Sequence, residues 1–275
     1  MPELPEVETV ARRIKPDVVG KTIRSATVRW ERTVATPSAK QFAQQIKGQK
    51  ILDVSRRAKY VVIHLSDFHL LVHLRMSGDL IVRDAGKKAE KHDRLILTLT
   101  PNPSPSGRGE LSLAFNDTRK FGRVWLLRDP QDELAKLGPE PLSKAFTPQW
   151  LYAALQQKKR QLKPLLLDQT FLAGMGNIYT DEALNIAKLH PQAVAARVTK
   201  KQAEALHEAI RLVLKEGIKR NGASIDWMYR GGEFQHYFRA YDRTGHPCQN
   251  CCTPIKHTMV GQRSTHYCPT CQRLK

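Results

Sequence analysis

Apolar positions along the chain fall into distinct regimes. In residues 4–18, Leu4, Val7, Val10, Ala11 and Ile14 recur at helical spacing, which predicts an amphipathic helix. From about residue 22 to 127 the apolar stretches become short and are separated by turn residues. Strands are predicted over 22–30, 50–54, 60–65, 70–75, 94–100, 111–115 and 123–127, with one helix over 39–46. Many short strands of this kind predict a sandwich or barrel. The Pro-, Ser- and Gly-rich segment 101–110 reads as an enlarged loop between two strands. A proline-rich stretch, 129–148, reads as a linker. Helical spacing then returns over 149–157, briefly near 164–167, over 177–188 and over 200–219. Residues 229–241 are rich in glycine and aromatics and read as loops, and no internal repeat is visible.

Length and composition narrow the partners. With 275 residues, two domains and a small appendage are expected, and 41% hydrophobic residues supply a packed core. Lys and Arg total 45 against 26 Asp and Glu, a formal charge of +19. That excess costs self-repulsion and folding does not need it, so it points to a polyanion. Nucleic acid is the first candidate and an anionic membrane surface the second. No apolar stretch approaches the roughly 18 residues of a membrane span. The opening MPELPEVETVARRIKPD has acids where a secretion signal would be basic and then apolar, so a cytosolic protein is expected.

The five cysteines all lie between Cys248 and Cys271. Two residues separate Cys248 from Cys251 and two separate Cys268 from Cys271, with sixteen between the pairs. This spacing predicts one structural four-cysteine zinc site on two hairpin knuckles, a closed site with no position open for catalysis. Cys252, adjacent to Cys251, reads as a free thiol. Residues 234–275 hold six Lys and Arg but a single acid, Asp242, so the module stays basic around the metal. A hairpin of this size can enter a groove and present Arg263 from its tip.

At the other end, Pro2 follows Met1. Removal of Met1 would leave a secondary amine, and the α-amino group titrates near 7.7–8, so a useful fraction is neutral at physiological pH. Such an amine attacking sugar C1′ gives a Schiff base. Glu3 is adjacent and Glu6 lies one helical turn on. A carboxyl beside the attacked sugar can protonate the ring oxygen and later take protons back. Helix initiation explains a Pro-Glu start equally well.

Seven strings in this order and spacing decide between those readings: PELPEVETVARR at 2–13, RRAKY at 56–60, HLRMSGDL at 73–80, KHDR at 91–94, FNDTRKFGR at 115–123, LLLDQTFLAGMGNIYTDEAL at 165–184, and the cysteine module. Together they resemble the bacterial formamidopyrimidine-DNA glycosylases, which repair 8-oxoguanine. The resemblance implies an α+β fold: an N-terminal helix plus β-sandwich over 1–130, a helix–two-turn–helix domain over 131–233 and a zinc-finger hairpin over 234–275. Duplex DNA bearing oxidised bases or abasic sites would lie in a basic cleft, bound by a monomer. The implied activity excises the damaged base and then cuts the strand by β- and δ-elimination. Pro2 matches the nucleophile, Glu3 the general acid/base, and Lys59 the catalytic lysine that contacts phosphate near the lesion. Met76, Arg119 and Phe121 match residues that fill the gap left by the extruded nucleotide. His92 and Lys163 match phosphate contacts, and Arg160 shares the basic run KKRQLK. Asn177 follows glycines at a helix start, where an anion could sit. Arg263 matches the finger arginine assigned to δ-elimination.

The endonuclease VIII branch, which prefers oxidised pyrimidines, shares this architecture but typically begins Pro-Glu-Gly-Pro, and Leu4 here favours the purine branch. A non-catalytic DNA-binding protein on the same fold is the other alternative, and intact Pro2, Glu3 and Lys59 argue against it. Two departures from the family pattern stand out: residues 222–238, where the family carries a lesion-capping loop, match poorly, and 101–110 looks like an insertion.

Overall fold

The computed structural model describes residues 1–100, 110–224 and 231–274. Residues 101–109 of the 101–110 insertion and 225–230 of the 222–238 loop thus lie outside the described residues. The chain divides into two compact units. The first comprises residues 1–2 and 6–135, the second residues 3–5, 136–224 and 231–274, among those described.

The first unit opens with helix α1 (Leu4–Val18), whose two leading residues belong to the second unit. Strands β1 (Ile23–Val28) and β2 (Val34–Thr36), helix α2 (Ala39–Ile46) and strands β3 (Ile51–Arg57), β4 (Tyr60–Leu65), β5 (His69–His73), β6 (Gly78–Asp84), β7 (Asp93–Leu99), β8 (Leu111–Asp117) and β9 (Arg123–Leu127) follow. They form a four-stranded sheet in the order β1-β7-β8-β6 and a five-stranded sheet in the order β2-β9-β5-β4-β3. Only the β2–β9 pairing is parallel among the described strands. One apolar cluster draws on both sheets, with Val7, Val10, Ala11, Ile14 and Val18 of α1 and Phe42 and Ile46 of α2. The helical spacing read in 4–18 is therefore the face of α1 that covers the sandwich. Ser38 caps α2 in a reciprocal capping box with Gln41. The predicted strands are all present. Strands β2 and β6 were not anticipated: β2 has three residues, and β6 begins within the string 73–80 that reads first as a motif.

The linker region contains the short helix α3 (Gln131–Leu134). The second unit then carries α4 (Pro148–Gln156), α5 (Leu162–Leu166), α6 (Asn177–Ile186) and α7 (Lys200–Lys219), and the hairpin β10 (Lys256–Val260) and β11 (Arg263–Tyr267). Thr147 caps α4, and Thr199 caps α7 through a capping box with Gln202. An apolar cluster joins Leu151, Leu155, Leu165, Tyr179, Leu184, Leu206 and Ile210 with Leu4. The finger is fastened to this unit through Gln272, fully buried, which accepts from Cys268 N and Asn185 Nδ2 and donates to Leu189 O. No helix among the described residues is long and apolar enough to cross a membrane.

Candidate functional site

In the second unit the GMGN string explains itself through the residues it admits. Gly174 has φ +98° and its carbonyl accepts from Leu4 N at 3.1 Å. A Cβ on Gly174 would lie 2.7 Å from Leu4, and one on Gly176 would lie 2.2 Å from the Glu3 carboxyl carbon. The glycines therefore make room for residues 3 and 4. Glu3 is 2% exposed, and its carboxylate accepts from Ile178 N at 2.9 Å and Tyr179 N at 3.4 Å. The first turn of α6 presents free N–H groups, and the Glu3 carboxyl oxygens take two of them. Asn177, half-buried, turns its amide to Ser264 O at 2.9 Å.

Lys163, expected as a phosphate contact, lies inside the second unit. It is fully buried, and its ammonium donates to Asp181 Oδ1 at 2.6 Å and to Ser264 O at 2.7 Å. Burial pulls its pKa below the usual lysine value, against the opposing pull of Asp181. The other oxygen of Asp181 accepts from His266 N at 2.9 Å. The pair thus ties α5, α6 and β11 together, and Lys163 acts on the finger strand instead of facing solvent. Arg160 does face solvent and pairs with Asp168 at 2.7 Å. Glu182, next to Asp181, is also buried and accepts from the backbone N–H groups of Arg239, Ala240 and Tyr241 at 2.8, 2.9 and 2.8 Å.

The cysteine module fits one zinc ion. The Sγ atoms of Cys248, Cys251, Cys268 and Cys271 all lie within 4.8 Å of one another. A tetrahedral thiolate site with bonds of about 2.3 Å needs sulfurs about 3.8 Å apart. Separations of 4.0 Å for Cys248–Cys271 and 3.5 Å for Cys251–Cys268 bracket that value. Each pair also carries a knuckle N–H directed at its first sulfur, Asn250 N to Cys248 and Cys271 N to Cys268, both 3.4 Å. Cys252 is exposed, at φ +60°, and outside the group. With its donors all cysteine sulfur, the ion would hold the hairpin and leave Arg263, exposed at the start of β11, at the tip.

In the first unit, Pro2 and Glu6 are buried. Lys59 occupies the turn between β3 and β4, where Arg57 pairs with Tyr60, and is 5% exposed. Arg56 fixes that turn: it donates to Ala58 O at 3.1 Å and to Glu8 of α1 at 2.9 Å. His73 is buried near Lys59, edge-on to the Tyr60 ring. Burial, then the charges of Arg75 and Lys59, pull its pKa down to about 3, so the ring is neutral at physiological pH. Burial and the Glu133 carboxylate, which accepts from the Tyr60 hydroxyl at 2.9 Å, push the Tyr60 pKa up. Met76 and Phe121 are large apolar side chains left 38% and 50% exposed. Arg119 is exposed between them, with a guanidinium nitrogen 3.6 Å from the Met76 sulfur and its centre 5.8 Å from the Phe121 ring. His92 is half-buried.

Ala58, Arg75, Lys120 and Gln262 have positive φ of 51°, 55°, 62° and 60°. They are the residues immediately before Lys59, Met76, Phe121 and Arg263. Left-handed backbone costs a non-glycine residue about 1–2 kcal/mol, and such strain concentrates at working loops.

Sequence reasoning missed Asp181, Glu182, His73, Tyr60 and Arg56. All lie in or beside the quoted strings, but buried polar residues carry no periodic signal of their own.

Comparison with known proteins agrees with this geometry. Residues 1–124 match the formamidopyrimidine-DNA glycosylase N-terminal domain, 137–228 its H2TH domain, and 245–274 the zinc finger found in FPG and IleRS. The formamidopyrimidine-DNA glycosylase of Chloroflexus aurantiacus is 45% identical, the match covering 99% of this chain and 98% of that one. The protein of the same name from Pelotomaculum thermopropionicum is 40% identical over the full length of both. Lactococcus lactis Fpg in complex with abasic-site DNA superposes with a TM-score of 0.89 at 34% identity, covering 98% of this chain and 99% of that one. The same enzyme with FAPY-dG DNA gives 0.90 at 35%, covering 98% and 100%. On shared sequence, shared fold and a matching cysteine site, the chain belongs to the formamidopyrimidine-DNA glycosylase family.

Proposed function

We propose that the protein is a bifunctional DNA glycosylase and abasic-site lyase of base excision repair. It excises oxidised purines, 8-oxoguanine and formamidopyrimidines, from duplex DNA as a monomer. The observation that carries this reading is the placement of Glu3: a buried carboxylate, covalently next to Pro2, held by two backbone N–H groups at the start of α6. A carboxylate so oriented serves as a general acid/base for the neighbouring residue's chemistry. Once Met1 is removed, the neutral Pro2 nitrogen attacks C1′. The Pro2 N–H proton passes to the Glu3 carboxylate as the C1′–base bond breaks, the base leaves with a proton taken from water, and the sugar ring opens as Glu3 gives its acquired proton to the ring oxygen. The resulting Schiff base acidifies C2′–H, so loss of that proton expels the 3′ phosphate, and a second elimination expels the 5′ phosphate. Lys59 and Arg263 bind and orient the phosphates around the lesion. Met76, Arg119 and Phe121 occupy the gap left by the extruded nucleotide. Zinc holds β10 and β11 and takes no part in the chemistry.

Preference for purines is supported by relatives solved with FAPY-dG and with carbocyclic 8-oxo-G DNA. A cytoplasmic site of action on the nucleoid follows from the substrate and from a finger that requires reduced thiolates.

Borohydride reduction on 8-oxoguanine duplex should trap a covalent complex. Retaining Met1 or adding a residue before Pro2 should abolish trapping and leave much of the DNA affinity. Trapping that survives the blocked terminus refutes the nucleophile assignment.

A further inference from the structure

Met76, His92, Arg119 and Phe121 stand on three separate segments of the first unit, and three residues not yet given a role, Ser77, Arg94 and Asp117, join them. Asp117 closes β8 and is 1% exposed. Its Oδ1 accepts from the Ser77 hydroxyl and from Arg119 N at 3.2 Å, and its Oδ2 accepts from Gly122 N at 2.7 Å. Ser77 Oγ in turn accepts from Arg119 N at 3.1 Å. The backbone of Asp117 continues the web: its N–H donates to His92 O at 2.9 Å, and its carbonyl accepts from Arg94 Nε at 2.7 Å. Arg94 is buried and reaches Thr118 O at 3.4 Å and His92 Nδ1 at 3.2 Å with the same nitrogen. Ser77 directly follows Met76, and Gly122 directly follows Phe121. Each exposed side chain is therefore bonded to this web or adjacent to a residue that is. Beneath it, the Phe115 ring fills the space at Gly78 and Gly122, where a Cβ would lie 2.8 and 2.3 Å from ring atoms.

We infer that Asp117, with Arg94, is a positioning residue that sets the gap-filling side chains and His92 in one fixed frame. The inference rests on the proposed function. A wedge inserted between bases must cover the cost of unstacking, so ordering its own loops at that moment would weaken it. Both carboxyl oxygens of Asp117 accept, and three donors converging on them fix the 76–77 and 119–122 tips in advance. An abasic site has no base to extrude and makes less demand on the wedge. The signature is therefore a split between two activities of one enzyme.

Asp117→Asn keeps the shape but places an amide donor against an N–H or hydroxyl donor. The ratio of 8-oxoguanine excision to cleavage at a preformed abasic site should fall at least tenfold, and discrimination among bases opposite the lesion should narrow. Ser77→Ala should lower the ratio less, because Asp117 keeps the Arg119 and Gly122 N–H groups. Arg94→Lys should lower it through loss of the fork to Asp117 O and His92. Borohydride trapping on abasic DNA and thermal unfolding report whether each variant is folded. An unchanged ratio in folded Asp117→Asn overturns the inference, as do parallel losses of both activities in it. Should that variant not fold, an unchanged ratio in both Ser77→Ala and Arg94→Lys overturns it. Wild-type protein inactive on both substrates would instead refute the underlying functional reading.

Discussion

Each unit organises its exposed chemistry around one buried aspartate, and the two do so differently. Asp117 in the sandwich gathers neutral donors: a hydroxyl and two backbone N–H groups. Asp181 in the helical unit gathers one backbone N–H and a fully buried ammonium. What already holds the joined segments in place accounts for the difference. Asp117 joins hairpin tips already aligned by the β6–β8 ladder. Lys163 must reach Ser264, far away in sequence and outside any shared sheet or helix. Where the ladder already sets the geometry, neutral hydrogen bonds suffice. Where nothing local does, an ion pair with excluded water supplies direction and strength.

The largest expected effect tests that distinction. Lys163→Met leaves the buried Asp181 carboxylate without its ammonium, with only the His266 backbone N–H and ring nitrogen beside it, which should cost about 3–5 kcal/mol, whereas Asp117→Asn should cost only about 1–3 kcal/mol. The double variant Lys163→Met/Asp181→Leu should recover much of the first loss. Denaturant unfolding measures all three, and equal losses for the two single variants would dissolve the comparison. Next comes pH. The sandwich keeps His73 buried and neutral, with its pKa pulled to about 3 against about 6.5 unfolded. Between those values the unfolded chain binds the proton and the folded chain does not. His73 thus contributes stability that is present above about pH 6.5 and lost as the pH falls toward 3. His73→Gln should flatten that part of the stability–pH curve, and a curve of unchanged slope would exclude the effect. The smallest effect concerns backbone strain. Ala58→Gly should change the stability of the sandwich by less than about 1 kcal/mol, because relief of the left-handed backbone at φ 51° offsets the lost buried methyl and the added chain entropy of glycine. A loss of about 1.5 kcal/mol or more in denaturant unfolding would show that the turn is not strained.

Most elements were legible because their signals are local. Helix α1 follows from apolar spacing at 4, 7, 10, 11 and 14, and the zinc site from cysteine spacing. The N-terminal candidates Pro2, Glu3 and Glu6 stood out only through the string they belong to. Their positions were not legible. GMGN reads as a phosphate site, yet residue 3 of the same chain fills it. Lys163 reads as one member of a basic surface run, but its neighbour Arg160 is exposed while Lys163 is enclosed. Asp181 and Glu182 on a helix would ordinarily mark a solvent face. Helix α6 is buried from Ile178 through Asn185, so its acids face inward and serve as anchors.

Thus the amino-acid sequence by itself determined most of the secondary structure, the metal ligands and the family, since spacing and residue type are properties of neighbouring positions. Which carboxylate occupies the α6 N-terminus, which lysine is buried, and which side chains fix the exposed tips were decided only in the tertiary structure. Those outcomes depend on which distant segments exclude water together, and a buried polar group keeps its place only where such a segment supplies its partner.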